Sequence, residues 1–284
     1  MRLSIIVPAF NEEHRLGRML DAYLPYFTQR FGALFEVLVI VNGSTDRTAD
    51  VALARRSDWP MIRVFVDPRP IGKGGAIMIG LKAARGELIG YVDADGSTPP
   101  EAFDALVEAI SDADCVLANR WDAASTITPP PRRRRVASRL FNRLVRLFFG
   151  LRLRDTQCGA KLLRRSLVCR LLPKLGITRW AFDVDLLYNV YRVGGRIREI
   201  PTVWHDESGS HLKVVPASLD MFLALCRLRL LYSPFRWFVT LYDRTLGPWI
   251  HPPLPPPPPI LEVTLSRSAT GHPSTDHTAG KSRH

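Results

Sequence analysis

Through its first 120 residues the chain alternates short, unbroken apolar runs with segments whose apolar positions recur every three or four residues. The runs Leu3–Val7, Val37–Val41, Ile62–Val66, Leu88–Val92 and Cys115–Ala118 predict strands, and helices are expected over 12–28, 46–57, 73–84 and 99–112. Runs that are apolar at every position, not at every second one, belong to strands covered on both faces. Strand–helix alternation brings such strands together in parallel. The expected class is α/β, a Rossmann-like, mostly parallel sheet flanked by helices. Ligands of such sheets sit beyond the carboxyl ends of the strands. Those positions hold Pro8-Ala9-Phe10-Asn11-Glu12-Glu13, Asn42-Gly43-Ser44-Thr45-Asp46 and Asp93-Ala94-Asp95-Gly96-Ser97. Ser44 or Thr45 is placed to cap the next helix. Polar and acidic groups therefore converge on one edge of the sheet.

The pattern changes after residue 122. Residues 1–122 carry 13 basic and 17 acidic side chains and residues 123–284 carry 26 and 10, so a net −4 is joined to a net +16. Residues 123–154 contain nine arginines and no acidic residue. From Arg135 the spacing is helical: Arg135, Arg139, Arg143 and Arg146 form one stripe. Val136, Leu140, Leu144, Leu147 and Leu151 form another, widened by Phe141, Val145 and Phe148. A basic amphipathic helix over about 132–152 suits an anionic membrane surface; the alternative is an ordinary surface helix with a solvated arginine face. A second apolar stretch, Met221 to Tyr242, is interrupted by Arg227, Arg229 and Arg236 and ends in aromatic residues. It suits a membrane interface, with core packing as the competing account.

Composition narrows the classes further. With 46% hydrophobic and 23% charged residues the chain is globular, not wholly disordered. The division expected is 1–215 as the main domain with the basic helix inserted, 216–247 as an interfacial helical segment, and 248–284 as a Pro-rich disordered tail. Cys115, Cys158, Cys169 and Cys226 lack zinc-like or CxxC spacing, which excludes a disulfide scaffold and fits a reducing compartment. No stretch approaches 18 uncharged apolar residues, and the first apolar run stops at Pro8. The expectation is a cytoplasmic protein, peripherally associated with membrane and not secreted.

Two carboxylates one residue apart, Asp93 and Asp95, can hold a hard divalent cation. Mg²⁺ takes one or two protein carboxylates and completes its octahedron from water and phosphates. The competing reading is an Asx-turn ahead of the helix start at Pro99-Pro100. Gly72-Lys73-Gly74-Gly75 fits neither the Walker nor the dinucleotide fingerprint. It reads as a turn into a helix whose first amides face a diphosphate, with Lys73 adding charge.

Together SIIVPAFNEE (4–13), VNGSTDRT (41–48), GKGGAIMIGLKAARGE (72–87), YVDADGSTPPE (91–101), DTQCGAKLL (155–163), WAFDVDLL (180–187) and IPTVWHDESGS (200–210) resemble the family 2 glycosyltransferases. Their order and spacing are similar to those of the polyprenyl-phosphate group, the dolichyl-phosphate glucosyltransferases and mannose synthases, over about residues 3–232. The resemblance implies a GT-A fold, a nucleotide-diphospho-sugar donor, inversion at the anomeric carbon and dependence on Mg²⁺ or Mn²⁺. It implies that Pro8, Phe10 and Glu12 meet base and ribose, with Asn42 nearby. Asp93, Ala94 and Asp95 meet ribose, diphosphate and metal, the two carboxylates as metal ligands. Arg120 faces diphosphate and sugar, Lys73 lies near the nucleotide, and Asp155, with Gln157 beside it, stands on the acceptor side. Two positions depart from the family. Asn42 replaces the first Asp of Asp-Asp-Gly-Ser and accepts a hydrogen bond without carrying charge. His211 replaces the Lys of Gly-Ser-Lys, with Lys213 as its substitute.

The expected reaction is transfer from a nucleotide sugar, UDP-glucose first and GDP-mannose second, to a polyprenyl phosphate at the cytoplasmic membrane face. A phosphate monoester, with a second pKa of about 6, is already largely ionised at neutral pH. Asp155 is therefore expected to position more than to act as a base. One alternative is a family 2 enzyme with a polysaccharide or soluble acceptor. Another is a non-catalytic basic module on membrane or nucleic acid, which leaves Asp93, Asp95 and the acidic first half without a role; a nucleic-acid partner is not expected. Trp204 and His205 read as strand packing and a surface histidine, and Cys158 as a buried filler.

Overall fold

The structure is a computed structural model and describes residues 1–128, 132–176, 181–205, 214–245 and 261–263. The five apolar runs are strands: β1 (Leu3–Ala9), β2 (Phe35–Asn42), β3 (Ile62–Asp67), β4 (Leu88–Tyr91) and β5 (Cys115–Asn119). Between them lie α1 (Leu16–Phe31), α2 (Thr48–Arg56), α3 (Gly72–Ala83) and α4 (Pro100–Glu108). The rest comprises β6 (Thr126–Ile127), α5 (Arg132–Phe149), β7 (Lys161–Arg164), α6 (Arg165–Leu171), α7 (Phe182–Arg192), β8 (Ile197–Pro201), β9 (Val203–Trp204), α8 (Val214–Leu231), α9 (Arg236–Thr245) and β10 (Leu261–Glu262).

Eight strands form one sheet in the order β10-β3-β2-β1-β4-β7-β5-β8, and β6 and β9 form a separate parallel pair. The pairings β3-β2, β2-β1, β1-β4 and β5-β8 are parallel. The expected parallel sheet is thus present, but β7 enters it antiparallel between β4 and β5. Its register sets Lys161 opposite both Tyr91 and Leu117.

The alternation of side chains along a strand feeds two cores. Ile5 and Val7 of β1 pack with Leu16, Leu20, Tyr23, Phe27 and Phe103 on one face. Ile6 packs on the other with Ile77, Phe141, Val145, Phe182 and Leu225. Both faces are therefore dry, which is why the runs are apolar throughout.

The basic helix packs through Phe141, Val145 and Phe149 and leaves Val136, Leu140 and Leu147 exposed, so the two stripes read from the sequence are partly regrouped. In α8, α9 and the turn between them, Leu225, Leu228 and Val239 are buried while Phe222, Leu223, Phe235, Trp237, Phe238 and Leu241 are exposed. Core packing and an exposed apolar face coexist there. No helix among the described residues is long and apolar enough to cross a membrane. Within 248–284 the described residues 261–263 depart from the disorder expected of the tail: Leu261 and Glu262 extend the sheet against Val66 and Phe65.

Candidate active site

The loops after β1 and β2 are tied together before any ligand is considered. Asn11, at φ 53°, accepts the Thr45 N–H at 2.9 Å, and its own N–H donates to Ser44 Oγ at 3.1 Å. Glu12 and Glu13 donate their N–H groups to Thr48 Oγ1 and Asp46 Oδ2. Ser44 and Thr45 therefore brace the first loop and do not cap α2. Asp46 accepts the Thr48 N–H at the α2 entry instead. Gly43, at φ +61°, passes so close to Pro70 that a Cβ would lie 2.8 Å from its Cα. A side chain there would meet both strain and a clash.

This bracing presents Pro8, half-buried, and Phe10, 53% exposed, at the strand end. Glu12 receives two bonds of 2.7 Å from Arg15. Burial raises its carboxyl above the ordinary range against the pull of Arg15, with the charges of Asp95 and Asp93 adding to the rise. Asn42 is buried and gives its Nδ2 to the Ala9 carbonyl at 3.2 Å, which leaves Oδ1 as its acceptor end.

Asp93, Ala94 and Asp95 leave β4 toward the same loops. Lys73, in the first turn of α3, stands 2.5 Å from Asp93 Oδ1. Burial alone would depress this ammonium, but Asp93 and Asp183 outweigh it and hold Lys73 above the ordinary lysine range. Asp95 accepts the Ser97 N–H at 2.9 Å, an Asx-type turn. Burial and then the Asp93 charge push its carboxyl upward. The turn of the competing reading is thus present, and it leaves both carboxylates in one segment. The donor set fits a divalent ion: two neighbouring carboxylates carry negative charge that burial makes costly and a cation would relieve. No group of three or more His, Cys, Asp or Glu suited to a metal occurs among the described residues, so such an ion would take its remaining ligands from substrate and water.

Arg120, just past β5, is clamped by Asp155. Its Nε and Nη2 reach the carboxylate at 2.8 and 2.9 Å, and its backbone N–H adds a third bond at 3.0 Å. Asp155 is fully buried, and its own N–H donates to Glu199. Burial would pull the guanidinium down, but Asp155 more than compensates and keeps it charged. The segment that follows Asp155 reaches Asp93, because Gly159 lies against its carboxylate. Gln157 lies beside this segment with its Nε2 buried and unpartnered.

Several residues at the site were given no role by the sequence reading. Trp204 is buried as expected, yet its ring also lies under the Arg120 guanidinium at 5.3 Å. Lys161, with no exposed side chain, donates to Asp183 at 2.6 Å and to the Cys158 carbonyl at 2.7 Å, while Tyr91 donates to the same Asp183 oxygen at 2.6 Å. Burial would raise Asp183, but Lys161 and Lys73 hold it below the ordinary range. Gly159 presses on the Asp93 carboxylate: a Cβ there would stand 1.9 Å from Oδ2. The motifs DTQCGAKLL and WAFDVDLL contained Gly159, Lys161 and Asp183, but a signal for their contact required knowing that β7 inserts beside β4. Cys158 is a buried filler whose thiol burial pushes up. His205 donates its backbone N–H to Ser97. His211 and Lys213 lie outside the described residues.

Against known proteins, the model of the glycosyl transferase family 2 matches residues 4–172. The dolichyl-phosphate beta-glucosyltransferase of Mus musculus is 34% identical over 256 residues, covering 83% of this chain and 77% of that protein. The protein of the same description from Drosophila melanogaster is 36% identical over 230 residues, covering 75% and 69%. In fold the chain resembles glucosyl-3-phosphoglycerate synthase from Mycobacterium tuberculosis, solved with Mn²⁺ and UDP-glucose. The TM-score is 0.61 at 21% identity, over 80% of this chain and 78% of that one. It also resembles mannosyl-3-phosphoglycerate synthase from Rubrobacter xylanophilus, with a TM-score of 0.61 at 19% identity over 81% and 74%. The architecture is accordingly the GT-A fold that the sequence motifs implied. A family match over more than half of the chain, with relatives a third identical along most of their length, leads to one conclusion: the chain is a glycosyltransferase that belongs to glycosyl transferase family 2, in the group that contains the dolichyl-phosphate glucosyltransferases.

Proposed function

We propose that the chain transfers glucose from UDP-glucose to a polyprenyl or dolichyl phosphate, with inversion, at the cytoplasmic face of a membrane. The observation that carries this reading is the convergence of Lys73, Asp93, Asp95 and the Asp155-clamped Arg120 at one end of the sheet. It occurs in a chain whose relatives are named for that transfer. The fold neighbour crystallised with Mn²⁺ and UDP-glucose supports a uridine donor.

In this reading Phe10, Pro8 and Glu12 hold base and ribose, Asn42 Oδ1 accepts from the base, and Asp93 and Asp95 would hold Mg²⁺ or Mn²⁺, with Ala94 between them. The ion, when bound, supplies positive charge to the diphosphate leaving group. Arg120 adds fixed charge at the diphosphate and needs no rearrangement, because Asp155 and Trp204 already orient it. An ionised phosphate oxygen of the acceptor attacks the anomeric carbon, the bond from that carbon to the diphosphate breaks, and the nucleoside diphosphate leaves. Asp155 takes three hydrogen bonds from Arg120, so in this reading its role is to position that guanidinium.

The exposed apolar residues of α5, α8 and α9 among the arginines support a peripheral membrane placement. The test presents labelled UDP-glucose and GDP-mannose in parallel, with a short polyprenyl phosphate in detergent and with or without Mg²⁺ or Mn²⁺. Label in the organic phase from UDP-glucose, dependent on metal, is the expected result. Product from GDP-mannose alone would replace the donor assignment, and water-soluble product alone would replace the acceptor.

A further inference from the structure

Trp121 and Arg154 are the chain neighbours of Arg120 and Asp155, and between them and α5 lies a pocket of about 340 Å³. Its other walls are Arg139, Asn142, Arg143 and Arg146, which recur at helical spacing along one face of α5. None of the four arginines forms an ion pair among the described residues. The nearby Glu199 directs its carboxylate to the backbone N–H groups of Arg154 and Asp155. Asn142 is committed to the Arg154 carbonyl and Arg146 Nε to the Leu153 carbonyl, so the pocket wall is built, not draped. Trp121 Nε1 is buried without a hydrogen-bond partner, and the Arg139 guanidinium lies 5.6 Å over the Trp121 ring.

Four like charges around one cavity repel one another, and an anion between them removes that cost. Arginine forks match phosphate oxygens in pairs, and the unpartnered indole N–H is a further donor. We propose that this pocket binds the phosphate group of a lipid. The same helix exposes Val136, Leu140 and Leu147 by 66, 56 and 77%. Hydrocarbon leaving the pocket would therefore run along apolar side chains, whereas a free phosphate would have no use for them. The proposal rests on the membrane part of the function proposed above and adds to it a discrete anion site beside the Arg120–Asp155 pair.

The experiment titrates the full chain with short-chain phosphatidic acid below its micellar concentration, with a short polyprenyl monophosphate and with inorganic phosphate, followed by calorimetry. Arg143→Gln is compared with Arg152→Gln, an equal charge change at an exposed arginine outside the pocket. Saturable binding of one lipid phosphate per chain is expected, weakened at least tenfold by Arg143→Gln and unchanged by Arg152→Gln. Binding of both lipids in competition marks a site that reads the phosphate of any such lipid. Binding of the polyprenyl phosphate alone marks a site for the acceptor. Equal affinity for inorganic phosphate overturns the lipid assignment, and absent saturation or equal loss in both variants overturns the site. Transfer assayed on the same preparation separates the readings, because intact transfer without saturable binding removes the pocket and leaves the function.

Discussion

At the carboxyl end of the sheet the cations stand on carboxylates, Lys73 on Asp93, Lys161 on Asp183, Arg120 on Asp155 and Arg15 on Glu12, whereas along α5 Arg139, Arg143 and Arg146 have none among the described residues. The difference follows from burial. A charge taken out of water must be paired or it destabilises the fold by several kcal/mol, and the pairing fixes its position. A guanidinium at the surface remains hydrated and free to meet another partner. One region is thus preorganised for a small ligand and the other is open to an external surface. The step from net −4 to net +16 along the chain is the sequence-level trace of that division.

The largest effect should come from the paired region. Asp95→Ala should reduce transfer to background and abolish metal-dependent stabilisation by UDP, while the melting temperature of the free protein changes little. Retained transfer would remove Asp95 from the metal site. Next is Asp183→Ala, which leaves Lys161 buried and unpaired and should cost about 3–5 kcal/mol by denaturant unfolding. A loss below about 1 kcal/mol would show that Lys161 finds another partner and that the pairing argument overstates this pair. In the unpaired region the effect should appear on vesicles and not on folding. Leu147→Ser together with Trp237→Ser should lower partition onto anionic vesicles at least tenfold, given about 1.5–3 kcal/mol for each large apolar side chain buried. Unchanged partition would take the exposed face of α5 and α9 off the membrane.

How far the sequence reaches differs between the same two regions. β1 to β5 and their helices were legible because both faces of each strand are covered, so continuous apolar runs mark them within a few residues. Asp93 and Asp95 were legible as residues at a strand end, Lys73 as the charge at a turn into a helix, and Arg120 through the family resemblance. β7 was not, because Lys161–Arg164 is four residues long, begins with a lysine and enters antiparallel. Its insertion is what carries Gly159 to Asp93 and Lys161 to Asp183, and long-range pairing of this kind leaves no periodic signal. Trp204 was legible as a buried strand residue but not as a platform for Arg120. For α5 the amphipathic period was visible, but which apolar residues face the core depends on the elements packed on it. Phe148, for instance, meets Phe222 of α8 at 6.4 Å.

The smallest effect concerns the tail and tests whether the sheet edge belongs to the site. Arg63 gives Nε and Nη2 to Glu262 at 2.9 and 3.0 Å, and its Nη1 to Glu36 at 3.0 Å and to the Ala83 carbonyl at 2.9 Å. Removing residues 248–284 takes away one of two carboxylates and a short antiparallel pairing, so Arg63 keeps a buried partner. Glu262 is about one-third exposed, and solvent discounts the pair to about 1 kcal/mol or less. The hydrogen bonds from Arg63 hold Glu262 below the ordinary glutamate range. Its contribution is therefore complete at neutral pH and disappears as the pH falls through that depressed value. The truncated protein should melt a few degrees below the full chain at pH 7, and the gap should narrow in acid. Transfer should be unchanged, because β10 lies on β3, with β2 and β1 between β3 and β4, the strand that leads to Asp93. A large loss of transfer would mean that the tail reaches the donor site by a route that the edge pairing does not explain.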